Sequence, residues 1–208
     1  MKKKKVILFG AGGHARSCID VIEQEGTFQI VGLVGKESEV GNEVNGYRVV
    51  ADETNMPDLI NEANFALVAV GQILSPELRI KLKDQIIQAG FELATVIAPT
   101  AYISPSAVIG AGTIVMHGAI LNSGVQVGQN CIINSKALLE HAVSVKDNVH
   151  ISTGAILNGN VSIDEGCFVG SGAVLKEGII IGQRTVIGMG TILRKNLGPN
   201  QISYGALV

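Results

Sequence analysis

The chain of 208 residues has no tryptophan, and its aromatic residues are five Phe and three Tyr. Charged residues make up only 16 % and the net charge is −2, where a soluble domain ordinarily carries about 25 % charged residues. So low a charge content suggests a membrane protein. Yet no apolar run approaches the ~18–20 residues needed to cross a bilayer; stretches such as 65–70 and 179–181 end early. Basic residues cluster only at Lys2 to Lys5, and the apolar stretch Val6 to Phe9 that follows is too short for a signal peptide. With no basic face, a nucleic-acid partner is not expected. The three cysteines, Cys18, Cys131 and Cys167, are odd in number and lack CxxC spacing. That argues against a disulfide scaffold or a zinc knuckle and for a reducing, cytoplasmic setting. What the chain does have is 26 glycines and 47 % hydrophobic residues. Many small aliphatic side chains must therefore be buried with few rings among them.

Residues 1–95 alternate strands and helices. Lys4 to Phe9 is a β-branched run ending at glycine, Ala15 to Glu25 has helical apolar spacing, and Phe28 to Val34 and Phe65 to Val70 read as further strands. Ser75 and Pro76 mark the start of a helix that runs toward Gln88. This pattern predicts a Rossmann-like α/β domain with a small parallel sheet. Gly10-x-Gly12-x-x-Ala15 follows the first strand and opens a helix, where backbone N–H groups and the helix N-terminus favour phosphate. The plain alternative is a structural tight turn. A dinucleotide site also wants an acid at the end of the second strand, but that strand ends Val34-Gly35-Lys36, so NAD is not expected.

From Ile97 the period becomes six. Every sixth residue from Ile97 to Leu193 is Ile, Leu or Val without interruption, and the position four further on is small or branched, as at Ala101, Ala119, Cys131 and Cys167. Such a repeat stacks into a parallel β-helix, three hexads closing one triangular coil and each coil adding about 4.8 Å. The second domain is expected over 96–208. Cys131 and Cys167 fall in inward slots and read as core.

Function must come from departures within this monotony. Glu140-His141 lies outside the inward slot, His150 follows nine residues later, and Gly159 sits one coil beyond His141. An imidazole base beside a bare backbone N–H suits acyl transfer, the base taking a proton and the donor steadying an oxyanion. A surface histidine is the bland reading. A zinc site of three converging histidines would need His117 and His141 to meet, and their separation of one coil plus one face does not stack them on one chain. No metal is expected.

The hexapeptide pattern resembles the left-handed β-helix acyltransferases, an exception to the usual right-handed crossover. The whole chain, opening on Gly10-Ala11-Gly12-Gly13-His14 and carrying Asn134, Glu140, His141, His150 and Ser152 in an Asn-x5-Glu-His-x8-His-x-Ser pattern, is similar to the bacterial nucleotide-aminosugar N-acetyltransferases. That group is related to the sialic acid O-acetyltransferases. The resemblance implies a homotrimer with active sites between prisms, acetyl-CoA as co-substrate, and a UDP- or dTDP-linked 4-amino sugar as acceptor. It implies His141 as general base with Glu140 beside it. His150, Gly159, Ser171, Met189 and Gly190 would contact acetyl-CoA. Gly12, Gly13, His14, Gly35, Lys36, Gly71 and Asn134 would contact the nucleotide-sugar. The chain departs from the family pattern in three places: Ala142 replaces an acid after the catalytic histidine, Gly35-Lys36 replaces Asp-Asp after the second strand, and the tail Ser203 to Val208 lacks a proline-containing basic ending. The rival readings are O-acetylation of a sialic-acid-like sugar and a non-catalytic nucleotide-sugar-binding rod.

Overall fold

A computed structural model describes residues 3–52 and 56–205. Lys2 of the basic cluster and residues 206–208 of the tail lie outside them. The chain divides into two compact units, Met1–Gly71 with Glu77–Ile97, and Gln72–Pro76 with Ala98–Val208.

The first unit follows β1 (Lys4–Phe9), α1 (Gly13–Glu25), β2 (Phe28–Gly35), β3 (Glu43–Val44), β4 (Tyr47–Asp52), β5 (Phe65–Val68), α2 (Glu77–Gln88) and β6 (Glu92–Leu93). Its sheet has the order β3-β4-β2-β1-β5-β6, parallel except for the β3–β4 hairpin. Ile7, Phe9, Val34, Val68, Leu82 and Ile86 form the core beneath α2, with Phe9 and Phe91 edge to face at 6.0 Å. α1 buries Ala15, Cys18, Ile19, Val21 and Ile22 and stops at Gly26, whose left-handed φ of 79° lets its N–H reach the Ile22 carbonyl. Gly10 ends β1 where a Cβ would fall 2.7 Å from Val70 Cγ1 and 2.9 Å from the Ala69 backbone. Only glycine lets β1 turn this close to the end of β5.

The second unit is a left-handed parallel β-helix. Residues 18 apart pair in register on three faces. The first face stacks Ile114, Ile132, His150, Phe168 and Val186. The second stacks Tyr102, Ile120, Leu138, Ile156, Val174 and Ile192. The third stacks Val108, Gln126, Ser144, Ser162 and Ile180. These are the outward residues; the hexad aliphatics beside them, from Val115 to Leu193, are buried. Ile103 and Ile109, in the first coil, are only half-buried. Cys131 and Cys167 are fully buried, and their thiols donate to the Lys146 and Gly182 carbonyls at 3.1 Å each. From Gly112 to Gly190 each corner places one residue in the left-handed region. Glycine and asparagine supply most of these, as at Gly124, Asn148, Asn160 and Gly172, with Lys136, Ala142 and Arg184 as the bulkier cases. Among the described residues, no helix is long and apolar enough to cross a membrane.

Candidate active site

In the first unit, the glycine loop, the end of β2 and the start of α2 enclose a pocket of about 240 Å³, lined by Gly10, Gly12, Gly35, Lys36, Glu39, Leu78 and neighbours. Gly12 caps α1 in extended conformation with no side-chain partner, which leaves the first-turn N–H groups of α1 for a ligand. Gly71 lies beside His14, a Cβ there falling 3.8 Å from the His14 Cβ. Gly12, Gly13, His14 and Gly71 thus gather at one end of the sheet, and Gly35 and Lys36 flank the pocket. Glu39 was not among the residues expected. A one-turn 3₁₀ segment, Glu37–Glu39, returns its carboxylate so that Oε2 accepts the Lys36 N–H at 2.8 Å. A Cβ on Gly35 would fall 2.8 Å from that oxygen, so glycine at 35 makes room for it. The acid absent from the end of the strand is supplied four residues later.

In the prism, His141 occupies the corner after the second face, exposed, and rests on the next coil. A Cβ on Gly159 would meet the imidazole at Cε1 at 2.5 Å and at Nε2, with Cδ2 at 3.1 Å. No other group is so close to that position. Gly159 is buried, its carbonyl accepts the Gly178 N–H at 2.9 Å, and among the described residues its own N–H has no acceptor. The Glu140 carboxylate does not reach His141. It is held from the preceding coil by Asn122 Nδ2 at 3.0 Å. Ala142, next in line, is left-handed with φ 57°.

His150 lies elsewhere, buried on the first face. Its Nδ1 is 2.7 Å from the Gln72 carbonyl, its Nε2 is 3.1 Å from Asn134 Nδ2, and its ring meets Phe168 edge to face at 5.2 Å. Within one chain His141 and His150 therefore belong to different faces. Asn134 sits against His150, and Gln72 was not legible as a site residue. His150 opens a mainly apolar groove of about 330 Å³ that includes Ser152, Gly170, Ser171, Gly188, Met189, Tyr204, Ile73 and Leu74. The Ser152 and Ser171 hydroxyls are 2.9 Å apart, and Tyr204 lies over Gly188, where a Cβ would fall 2.5 Å from its ring. Gly190, with φ 67°, turns the corner beside Met189. His117 is a corner residue one face away from His141, with Nδ1 3.0 Å from Thr100 Oγ1. Burial pushes the Cys18 thiol up to about 12 and the Cys167 thiol up to about 11, which makes both poor nucleophiles.

Comparison with known proteins agrees with this architecture. Residues 5–86 match the PglD N-terminal domain, residues 106–141 the bacterial transferase hexapeptide of six repeats, and residues 160–195 the hexapeptide repeat of succinyl-transferase. Among solved structures, PerB from Caulobacter crescentus in complex with CoA and GDP-perosamine is 31 % identical over 97 % of this chain and 94 % of that one, with a TM-score of 0.90. A histidine-to-asparagine variant of perosamine N-acetyltransferase from the same organism is 30 % identical over 97 % and 93 %, with a TM-score of 0.91. The acetyltransferase domain of PglB from Neisseria gonorrhoeae FA1090, in complex with acetyl coenzyme A, is 29 % identical over 98 % and 97 %, with a TM-score of 0.89. By fold, repeat and full-length similarity, the chain belongs to the nucleotide-sugar N-acetyltransferase family of hexapeptide-repeat acyltransferases.

Proposed function

We propose that the protein transfers the acetyl group of acetyl-CoA directly to the amine of a nucleotide-linked 4-amino sugar, with His141 as general base. The observation that carries this reading is the seat of His141 on Gly159. A side chain at 159 would collide with the ring and with no other group so closely, and a backbone donor lies beside the base. The neutral amine attacks the thioester carbonyl, forming the C–N bond. His141 takes the amine proton, the Gly159 N–H steadies the oxyanion, and the C–S bond breaks to release CoA thiolate, which takes the proton from His141.

The groove from His150 along Ser171 and Met189 suits an extended, largely apolar thioester arm. The pocket beside the glycine loop suits a nucleotide, its phosphates at the N-terminus of α1 and its ribose or base N–H groups at Glu39. GDP-perosamine is the sugar ligand held by both Caulobacter crescentus structures, which adds a purine nucleotide to UDP and dTDP among the acceptors to test.

The second face supports a homotrimer. Its outward stack of Tyr102, Ile120, Leu138, Ile156, Val174 and Ile192 is aliphatic but for the Tyr102 ring, with Tyr102 55 %, Ile120 39 % and Ile192 45 % exposed. The corner holding His141 borders this face on one side, and the corner of Ser152, Ser171 and Met189 borders it on the other. Threefold packing through the face would set His141 of one subunit against the acyl groove of its neighbour. Thiol release from acetyl-CoA, measured with GDP-, UDP- and dTDP-linked 4-amino sugars, tests the proposal; no release with any of them would end it.

A further inference from the structure

We infer that Gln72 is a positioning residue: it fixes His150 as the imidazole protonated on Nδ1, and through His150 it aims the Asn134 amide as a hydrogen-bond donor into the acyl site. This rests on the acyl-transfer reading and identifies what holds that site's polar end in register. Gln72 is 3 % exposed. Its Nε2 lies 3.0 Å from the Asn148 carbonyl, 3.1 Å from that of Cys167 and 3.4 Å from that of Gly166. One amide nitrogen thereby grips two successive coils. Its Oε1 is buried and finds no donor among the described residues. A half-satisfied buried amide is costly, and a residue needed only for packing would be better apolar. The clamp on the prism accounts for the amide, and it brings the Gln72 main-chain carbonyl to His150.

From there the protons are determined by chemistry. A carbonyl can only accept, so at 2.7 Å the hydrogen is on His150 Nδ1. Asn134 Oδ1 accepts the Ser135 N–H at 2.8 Å, which sets the amide orientation and turns Nδ2 toward His150. At 3.1 Å that N–H donates to Nε2, which must hold a lone pair. Both imidazole nitrogens are thus committed, and His150 has no proton to offer a thioester. The other Nδ2 hydrogen of Asn134 has no acceptor among the described residues. Asn134 is half-buried, one coil before Ser152 of the groove. The donor presented to an acceptor oxygen of bound substrate is therefore the Asn134 amide. If Gln72 lets go, His150 is free to take its proton on Nε2, which sets two N–H groups against each other and expels Asn134.

The test is long-range 1H–15N correlation of the 15N-histidine-labelled enzyme, with His150→Asn to assign the signals and His117 as a probe of folding. The wild type should show His150 protonated on Nδ1 and bare on Nε2. Asn134→Asp, which replaces the donor by an acceptor, should add a proton at Nε2. Gln72→Met, which keeps the bulk and removes the amide, should populate the Nε2–H form and lower kcat about tenfold, the worth of one hydrogen bond. KM for the nucleotide-sugar should stay unchanged. An Nε2–H ring in the wild type would overturn the inference, as would a Gln72→Met enzyme with wild-type tautomer and kcat. The spectra do not depend on turnover, so an enzyme inactive on every amino sugar would refute the proposed function separately.

Discussion

Gly159→Ala isolates the contact between His141 and the adjoining coil. Gly159 is not in the left-handed region, so alanine meets no backbone strain there; the three nearest atoms to the new Cβ all belong to the His141 ring, with Cε1 at 2.5 Å. Carbon atoms rest at about 3.5–4.0 Å, so the imidazole must retreat by about 1 Å. A displacement of that size in a catalytic group costs about 100-fold in rate. His141 is exposed and can swing outward, so the stability loss should fall below the ~1–3 kcal/mol of overpacking in a closed core. The assay is thiol release under saturating substrates, set beside a urea denaturation curve. Turnover should fall about 100-fold with the denaturation midpoint little changed. Adding Gly159→Ala to His141→Ala should then cost almost nothing further, because the ring it displaces is gone. Undiminished turnover in Gly159→Ala, or full additivity in the double variant, would refute the idea that this seat positions the base.

Glu39→Gln should raise KM for the nucleotide-sugar by about 10–100-fold, the worth of a charged hydrogen bond, with kcat within about twofold; a kcat loss at constant KM would remove Glu39 from the nucleotide site. The buried thiols should resist alkylation by iodoacetamide at neutral pH until the protein unfolds, as read by mass spectrometry. Because burial raises Cys18 from 9.0 to about 12 and Cys167 from 9.0 to about 11, the folded state keeps protons that the unfolded chain releases, so their contribution to stability is whole below pH 9 and wanes from there to about pH 12. A denaturation midpoint that rose over that range would contradict the assignment. Leu157→Ala, in a fully buried slot between Leu139 and Leu175, should cost about 2–5 kcal/mol in urea denaturation; a loss under about 1 kcal/mol would mean that the prism interior is looser than described.

The prism was legible because its period is dictated by geometry. A coil of three faces needs an inward aliphatic every sixth residue, and nothing else produces that pattern for so long. The strands Lys4–Phe9 and Phe28–Gly35 and the helix Gly13–Glu25 were legible for similar reasons of local pattern. The hairpin of β3 and β4 was missed although its turn carries the signal. Asn45 and Gly46 have φ of 49° and 82°, the left-handed pair that suits a two-residue hairpin, but the flanking strand Glu43–Val44 is too short to show alternation. His141 and Gly159 could be paired in advance because 18 residues make one coil. Gln72 could not: it lies between a strand and a helix with no period of its own, and its partners are 76 to 95 residues away in sequence. Glu39 was hidden for a related reason, since a carboxylate four residues past the strand returns to it only through a tight 3₁₀ turn. The Asn134 amide was visible as part of a motif, but its bond to His150 depends on which nitrogen carries the proton, and the chain alone does not state that.

Acetyl transfer itself can be measured directly. Purified enzyme should be mixed with acetyl-CoA and, in parallel, GDP-, UDP- and dTDP-linked 4-amino sugars and free sialic acid, with thiol release followed and the products weighed. Release is expected with at least one nucleotide-linked amino sugar, the acetyl group on its nitrogen, and turnover lower by about 10²–10⁴-fold in His141→Ala. Release with sialic acid alone, or a His141→Ala enzyme with undiminished turnover, would contradict the proposed function.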